Sequence, residues 1–201
     1  LVTISVEGGS LTVVGRIDAS GDKVGTIRLA ALNDLTLTSN AVLDAHGTVL
    51  KTDSYGAPIE ASNTAHVELT SAKGSVTLVS GASIDLRSAD AIARGKLEIN
   101  ARRLGGIDDS GDGANDIAIS AGGPLNILGA DSIAVNGFRS YTPTNGIINQ
   151  SLLDTIHGHS TSFITAALSN AALQLRLSGL KAYDMPGKPV FHLRPGVELR
   201  S

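Results

Sequence analysis

Residues 108 to 116, reading DDSGDGAND, hold the one stretch with metal-ligand spacing. Asp108, Ser110, Asp112, Gly113 and Asp116 fall at positions 1, 3, 5, 6 and 9 of a calcium loop, where oxygen ligands alternate and glycine permits the sharp turn. Position 12, a bidentate Glu in a full loop, is Ile119 here. The spacing therefore predicts a weak, partial calcium site; the alternative is a solvated acidic corner. His157 and His159, with His192 downstream, raise zinc as a second possibility. Two histidines two residues apart do not share a helical face, and Gly158 between them reads as a helix end, so a capping or surface role is expected.

A third group is carboxylic. Asp18, Asp44 and Asp85 each follow an apolar residue, Ile17, Leu43 and Ile84, at the same place in a recurring pattern. In a pleated strand they face outward, and stacked they would resemble the acid pairs of β-helical polysaccharide hydrolases. The alternative is a repeated surface residue, and sugar-cleaving clefts want aromatic platforms that this chain hardly has. Nucleophilic chemistry finds less support. Gly158-His159-Ser160-Thr161-Ser162 lacks the second glycine of a nucleophile elbow, and no phosphate-cradling glycine loop occurs. No catalytic or cofactor-binding residue is assigned, and the expectation is a protein that is not an enzyme.

The elements that would position such groups follow from composition. The chain has 201 residues, 42% hydrophobic but only 3% aromatic, with no Trp, so its core must be aliphatic. Its 14 Asp and 10 Asn against 5 Glu and 6 Lys favour turns over helix surfaces. A net charge of −3, with Arg102-Arg103 the only adjacent basic pair, gives no reason to expect nucleic acid as a partner. The absence of cysteine excludes disulfides, thiolate metal sites and thiol catalysis. No apolar run reaches the roughly 20 residues that span a bilayer. The chain opens at Leu1 in mid-pattern, which reads as a piece of something longer.

Four stretches align: SLTVVGRIDASG from Ser10, DLTLTSNAVLDAHG from Asp34, SVTLVSGASIDLRS from Ser75 and PLNILGADSIAVNG from Pro124. Each carries two short alternating pairs separated by Gly, Ser, Asn or Asp, which is the signature of strand, corner, strand. An earlier strand set, Val2/Ile4, Ile27/Leu29, Val67/Leu69, Leu97/Ile99 and Ile117/Ile119, completes three strands per unit. Unit starts at Val2, Ile27, Val67, Leu97 and Ile117 are 25, 40, 30 and 20 residues apart, as insertions at one corner would produce. Strands this short, without two-residue hairpin turns, predict an all-β solenoid: a right-handed parallel β-helix over residues 1 to 140. Loops at 46 to 65, 104 to 116 and 138 to 147 are expected to project from it and meet partners.

From about Phe138 the pattern changes. Residues 148, 152 and 156 have helical spacing, with Asn149 or Ser151 as cap, and a second helix is expected from about Ser160 through Gln174. Residues 141 to 189 thus read as a small helical insertion packed on the solenoid, and 190 to 201 as a return to the β-helix.

These repeats resemble the GxLxLxAxxDLxLxxxAxLDAxG repeats of filamentous haemagglutinin-family exoproteins, secreted adhesins of Gram-negative two-partner secretion systems. HSTSFITAALSNAALQLRLSGL followed by FHLRPGVELRS is similar to a helix-plus-strand segment in one branch of that family. The resemblance implies a non-catalytic structural or adhesive segment, secreted or displayed on the cell surface. It also implies an outer-membrane transporter as partner during export and a host-cell or surface receptor. Two alternatives stand beside it: a polysaccharide-binding or cleaving β-helix enzyme, and the stalk of a contact-dependent toxin exoprotein.

Overall fold

The computed structural model describes residues 1–105, 114–184 and 190–200. Its first three units each contain three short strands. They are β1 (Val2–Val6), β2 (Leu11–Val13) and β3 (Arg16–Asp18); β4 (Thr26–Ala31), β5 (Leu35–Leu37) and β6 (Val42–Asp44); and β7 (His66–Ser71), β8 (Val76–Leu78) and β9 (Ser83–Asp85). Then come β10 (Gly95–Leu104), β11 (Asp116–Ile117), β12 (Ile119–Ser120), β13 (Asn126–Leu128) and β14 (Ala130–Tyr141). Three helices, α1 (Gln150–Ser169), α2 (Ala171–Arg176) and α3 (Ser178–Lys181), precede β15 (Phe191–Leu199).

Each unit contributes one strand to each of three sheets. The long sheet runs β1-β4-β7-β10-β14-β15, the second β12-β8-β5-β2 and the third β13-β9-β6-β3, and every pairing along these orders is parallel. The short β11 pairs antiparallel with β10. This mostly parallel architecture is compatible with a solenoid.

Register stacks like on like. Ile27, Val67, Leu97 and Ile133 are successive partners in the long sheet, Leu35, Val76 and Ile119 in the second, and Leu43, Ile84 and Ile127 in the third. All of these are buried and belong to one aliphatic core. Alternation with period two explains how three-residue strands suffice: the apolar residues turn inward while Thr, Arg, Glu and Asn turn outward. Gly129 makes the corner between β13 and β14 with φ 72°, and a Cβ there would lie 2.6 Å from the Cα of Arg87, so only glycine fits.

The last repeat is phased differently from the sequence expectation. Ile119 belongs to the second sheet, Ile127 to the third and Ile133 to the long sheet, so Ile117 does not open a new unit. Short alternating pairs look alike in every sheet, and the insertion after Leu104 erases the spacing that would fix their order. Residues 138–141, expected as loop, extend β14 instead, held against β15 from Phe138 to Tyr141. The two expected helices between 148 and 174 also differ: α1 runs unbroken through Gly158 to Ser169. A mid-helix glycine costs about 1 kcal/mol, which the burial of Phe163 and Ala167 outweighs.

The helical segment covers the edges of the second and third sheets at β12 and β13. Ala121 N–H donates to Arg176 O (2.7 Å), and Gly179 N–H to Ala121 O (2.9 Å), at the end of β12. The Arg176 guanidinium reaches the carbonyls of Ile117 (3.2 Å) and Ile119 (2.6 Å). Beside β13, the Tyr183 hydroxyl accepts from Ile127 N–H (3.0 Å) and donates to Leu125 O (2.5 Å). Two sheets therefore end under helix, while the long sheet continues into β15.

Among the projecting loops, 46–65 is folded on itself. Buried Asn63 accepts from Lys51 N–H and donates to the carbonyls of Lys51 and Ile59, while Tyr55 is 95% exposed. Buried Arg94 ties this loop to the next one through Glu60 and Asp90.

Candidate functional site

Four sets of chemical groups stand out in the structure. Of the sequence-predicted calcium ligands, Asp108, Ser110 and Asp112 lie outside the described residues. Asp116 opens β11, where it pairs with the Arg176 guanidinium and accepts the N–H of Ile117 at 2.7 Å.

The histidines are not gathered. His157 is exposed on α1, whereas His159 stacks on Tyr141 with ring centroids 5.9 Å apart, and its Nδ1 lies 2.8 Å from Arg139 Nη1. His192 pairs with Ala134, at the other end of the ladder that Tyr141 shares with Leu199. No zinc-binding geometry joins these three.

The carboxylates are gathered. Asp18 is the register partner of Asp44, and Asp44 of Asp85. The partner of Asp85 in the next strand is Leu128, so the acid stack ends there. The three were expected to face outward. They do leave the aliphatic face, since Leu43 and Ala45 on either side of Asp44 are fully buried, yet Asp44 and Asp85 are only 4% and 8% exposed. Neighbouring side chains cover them. Arg16 pairs with both Asp18 and Asp44, His46 Nδ1 lies 2.6 Å from Asp44 Oδ1, and Arg87 grips both oxygens of Asp85.

Each carboxylate also accepts the backbone N–H two residues on: Ser20 at 2.9 Å, His46 at 3.1 Å and Arg87 at 3.1 Å. That is an Asx turn, and it explains why Asp recurs where the chain leaves the third sheet. Asp44, His46 and Asp85 each bring a ligand atom within 4.8 Å of the others, close enough for a cation. The same atoms already serve Arg16, Arg87 and the turn. Burial pushes the Asp85 carboxyl up, but the hydrogen bonds and charge of Arg87 outweigh it and hold it below the usual carboxylate range. A general acid needs the opposite shift.

The outer face of the long sheet offers the fourth set. Asn136 Nδ2 donates to Asn100 Oδ1 (2.8 Å), and Asn100 Nδ2 to Glu68 Oε1 and Thr70 Oγ1, each at 3.1 Å, so a polar ladder crosses β14, β10 and β7. It lines a groove of about 340 Å³ bounded by Phe138 and Glu198. Past Phe138 and Ala72 lies a second cavity of about 190 Å³, lined by Lys73, Arg102, Arg103, Arg139, Arg200 and Ser140. No carboxylate among the described residues lines it.

Arg103 is the unusual member. Alternation along β10 continues inward from Leu97, Ile99 and Ala101 to Arg103, which is 7% exposed. It packs over the Phe163 ring at 4.4 Å and donates to the carbonyls of Gly137 (2.8 Å) and Gly196 (3.2 Å). Burial lowers its guanidinium pKa from the ordinary value. Gly137 leaves the room for this packing, since a Cβ there would stand 2.6 Å from Phe163 Cζ.

Sequence reasoning noticed Arg102-Arg103 only as a basic pair. The alternation through Ala101 was the signal that one of the two turns inward. The other cations come from residues 73, 139 and 200, and no local spacing links them. Comparison with protein-family models, with curated proteins and with solved structures returns no match to this chain.

Proposed function

We propose that this chain is a non-catalytic structural and adhesive section of a large secreted, filamentous haemagglutinin-like surface protein of a Gram-negative bacterium. In this reading it is a right-handed parallel β-helix, exported through an outer-membrane transporter and attaching cells to a receptor or surface. The observation that carries the reading is the parallel register, in which residues of one kind stack across successive units in three sheets. Such a body is long, stiff and self-pairing, as a stalk requires, and each unit leans only on its neighbours. The engaged state of the Asp44 and Asp85 carboxylates supports a structural role for them.

The test displays the chain on a non-adherent cell and counts attachment to epithelial and abiotic surfaces. Attachment above that of a displayed control of equal size supports the reading; none above it on any surface overturns the adhesive part. A second reading, polysaccharide binding, is favoured by the groove along Asn100, Asn136, Thr70 and Glu68, whose amides and hydroxyl suit sugar hydroxyls. A neutral glycan that binds and is lost on Asn100→Ala would prefer it.

A further inference from the structure

We infer that the cavity beside Phe138 is an oxyanion site, with Lys73 and Arg102 as its binding groups and a phosphate or sulfate group, free or esterified, as its ligand. The inference stands apart from the adhesive reading and would hold for a stalk of any function.

Four arginines and one lysine line about 190 Å³ without a carboxylate among the described residues. Two of them are partly accounted for within the fold. Arg200 donates to Glu198 Oε2 at 3.0 Å, and Arg139 packs over Tyr141 and meets His159. Lys73 is exposed at the rim. Arg103 turns to the inner face, where Gly137, Gly196 and Phe163 engage it. Arg102 is different: its Nε is buried and has no hydrogen-bond partner. Buried guanidinium N–H groups normally find acceptors, and unmade bonds to a charged donor are the costliest kind.

The register explains how they come together. Arg102 lies opposite Phe138 on β14, and Phe138 opposite Gly196 on β15, where a Cβ would stand 2.7 Å from the Cβ of Phe138; the small Ala72 lines the cavity beside them. Ser140, whose hydroxyl binds Glu198, adds a polar wall. Guanidinium forks match tetrahedral oxyanions in shape and charge, and the ammonium of Lys73 at the rim adds a second positive charge.

The experiment titrates the isotope-labelled 201-residue chain with inorganic phosphate, sulfate and phenyl phosphate, against potassium chloride at matched ionic strength, following amide and Arg side-chain NMR signals. Saturable shifts centred on Lys73 and Arg102 are expected. Arg102→Gln and Lys73→Gln should each weaken phosphate about tenfold. Arg16→Gln, at the acidic corner, should leave it unchanged. Arg103→Gln is less informative, since it also removes packing on Phe163, so the two other variants carry the test. Tighter binding of phenyl phosphate than of the ion points to an esterified ligand, and the reverse to a free anion; either upholds the site. No saturable shift beyond chloride, or phosphate binding undiminished in both Arg102→Gln and Lys73→Gln, overturns it.

Discussion

The carboxylates where the chain leaves the third sheet and the guanidiniums at the far end of the long sheet both gather like charges by strand register. They are treated in opposite ways. Asp18, Asp44 and Asp85 are each met by an N–H of their own turn and by an arginine or histidine nearby in sequence or on the adjacent strand. Lys73, Arg102 and Arg103 meet no carboxylate among the described residues lining their cavity. Repetition accounts for the first case: a unit that carries Asp with its Asx turn copies the solution with each turn of the chain. The second cluster lies where repetition fails, beside the insertion after Leu104, and its cations come from β10, from β14 and from the chain just past β7 and β15. A cluster whose charges are met inside the fold holds shape; one whose cavity has no carboxylate among the described residues is where an outside anion can add binding energy.

The largest effect comes from removing what holds the basic cluster in place. Phe163→Ala takes away a fully buried ring together with its contact to Arg103, and should cost about 3–5 kcal/mol by urea unfolding. A loss under about 1 kcal/mol would mean that α1 is not an integral part of the core.

Next is the acidic cluster. Asp44→Ala unpairs the His46 N–H and the Arg16 guanidinium beside a nearly buried position, and should cost about 1–3 kcal/mol by the same measurement. If Asp44→Ala is neutral while Asp44→Asn also is, the Asx turn is not what holds the corner.

Much of this was legible in the residues, and the failures have physical causes. The strands of the first three units follow from alternation of Leu, Val and Ile, because a pleated ribbon forces every second side chain to one side. The same signal is silent about which sheet a three-residue strand joins, so Ile119, Ile127 and Ile133 each moved to a different sheet from the one expected. The acid stack was visible as spacing, but its cover by Arg16, His46 and Arg87 was not, since an outward-pointing residue reads as exposed until its neighbours are placed. The basic cavity left only the inward parity of Arg103, because its members meet solely through tertiary register.

Acid separates the clusters more gently. Ser75 N–H and hydroxyl lower the Asp34 carboxyl, Arg87 lowers Asp85 against the opposing effect of burial, and Arg94 with Ser88 holds Asp90 down at about 2. A folded-state pKa below the unfolded value of about 3.9 contributes stability that is full above that pH and is lost as pH falls through the folded value. The melting temperature should therefore hold from pH 7 to about 4 and decline between pH 4 and 2 as Asp34, Asp85 and Asp90 take up protons. Phosphate binding by the cavity should follow the folded fraction and the charge of phosphate itself across this window. A decline already complete at pH 5 would point to groups other than these carboxylates.

The smallest effects are the sharpest, because they differ in sign. Arg87→Gln removes the partner of Asp85; with the guanidinium half exposed, the loss should stay below about 1 kcal/mol. Arg102→Gln removes one charge from a cavity where like charges face each other, and should change stability by less than about 0.5 kcal/mol, toward greater stability. Salt provides the control, since screening weakens the attraction at Asp85 and the repulsion around Arg102 alike. Raising the ionic strength to about 0.15 M should bring the two variants toward the parent protein from opposite sides. Melting curves of the three proteins at low and moderate salt read this directly. If Arg102→Gln destabilises as Arg87→Gln does, Arg102 has an acceptor within the fold, and the contrast between the two clusters fails at Arg102.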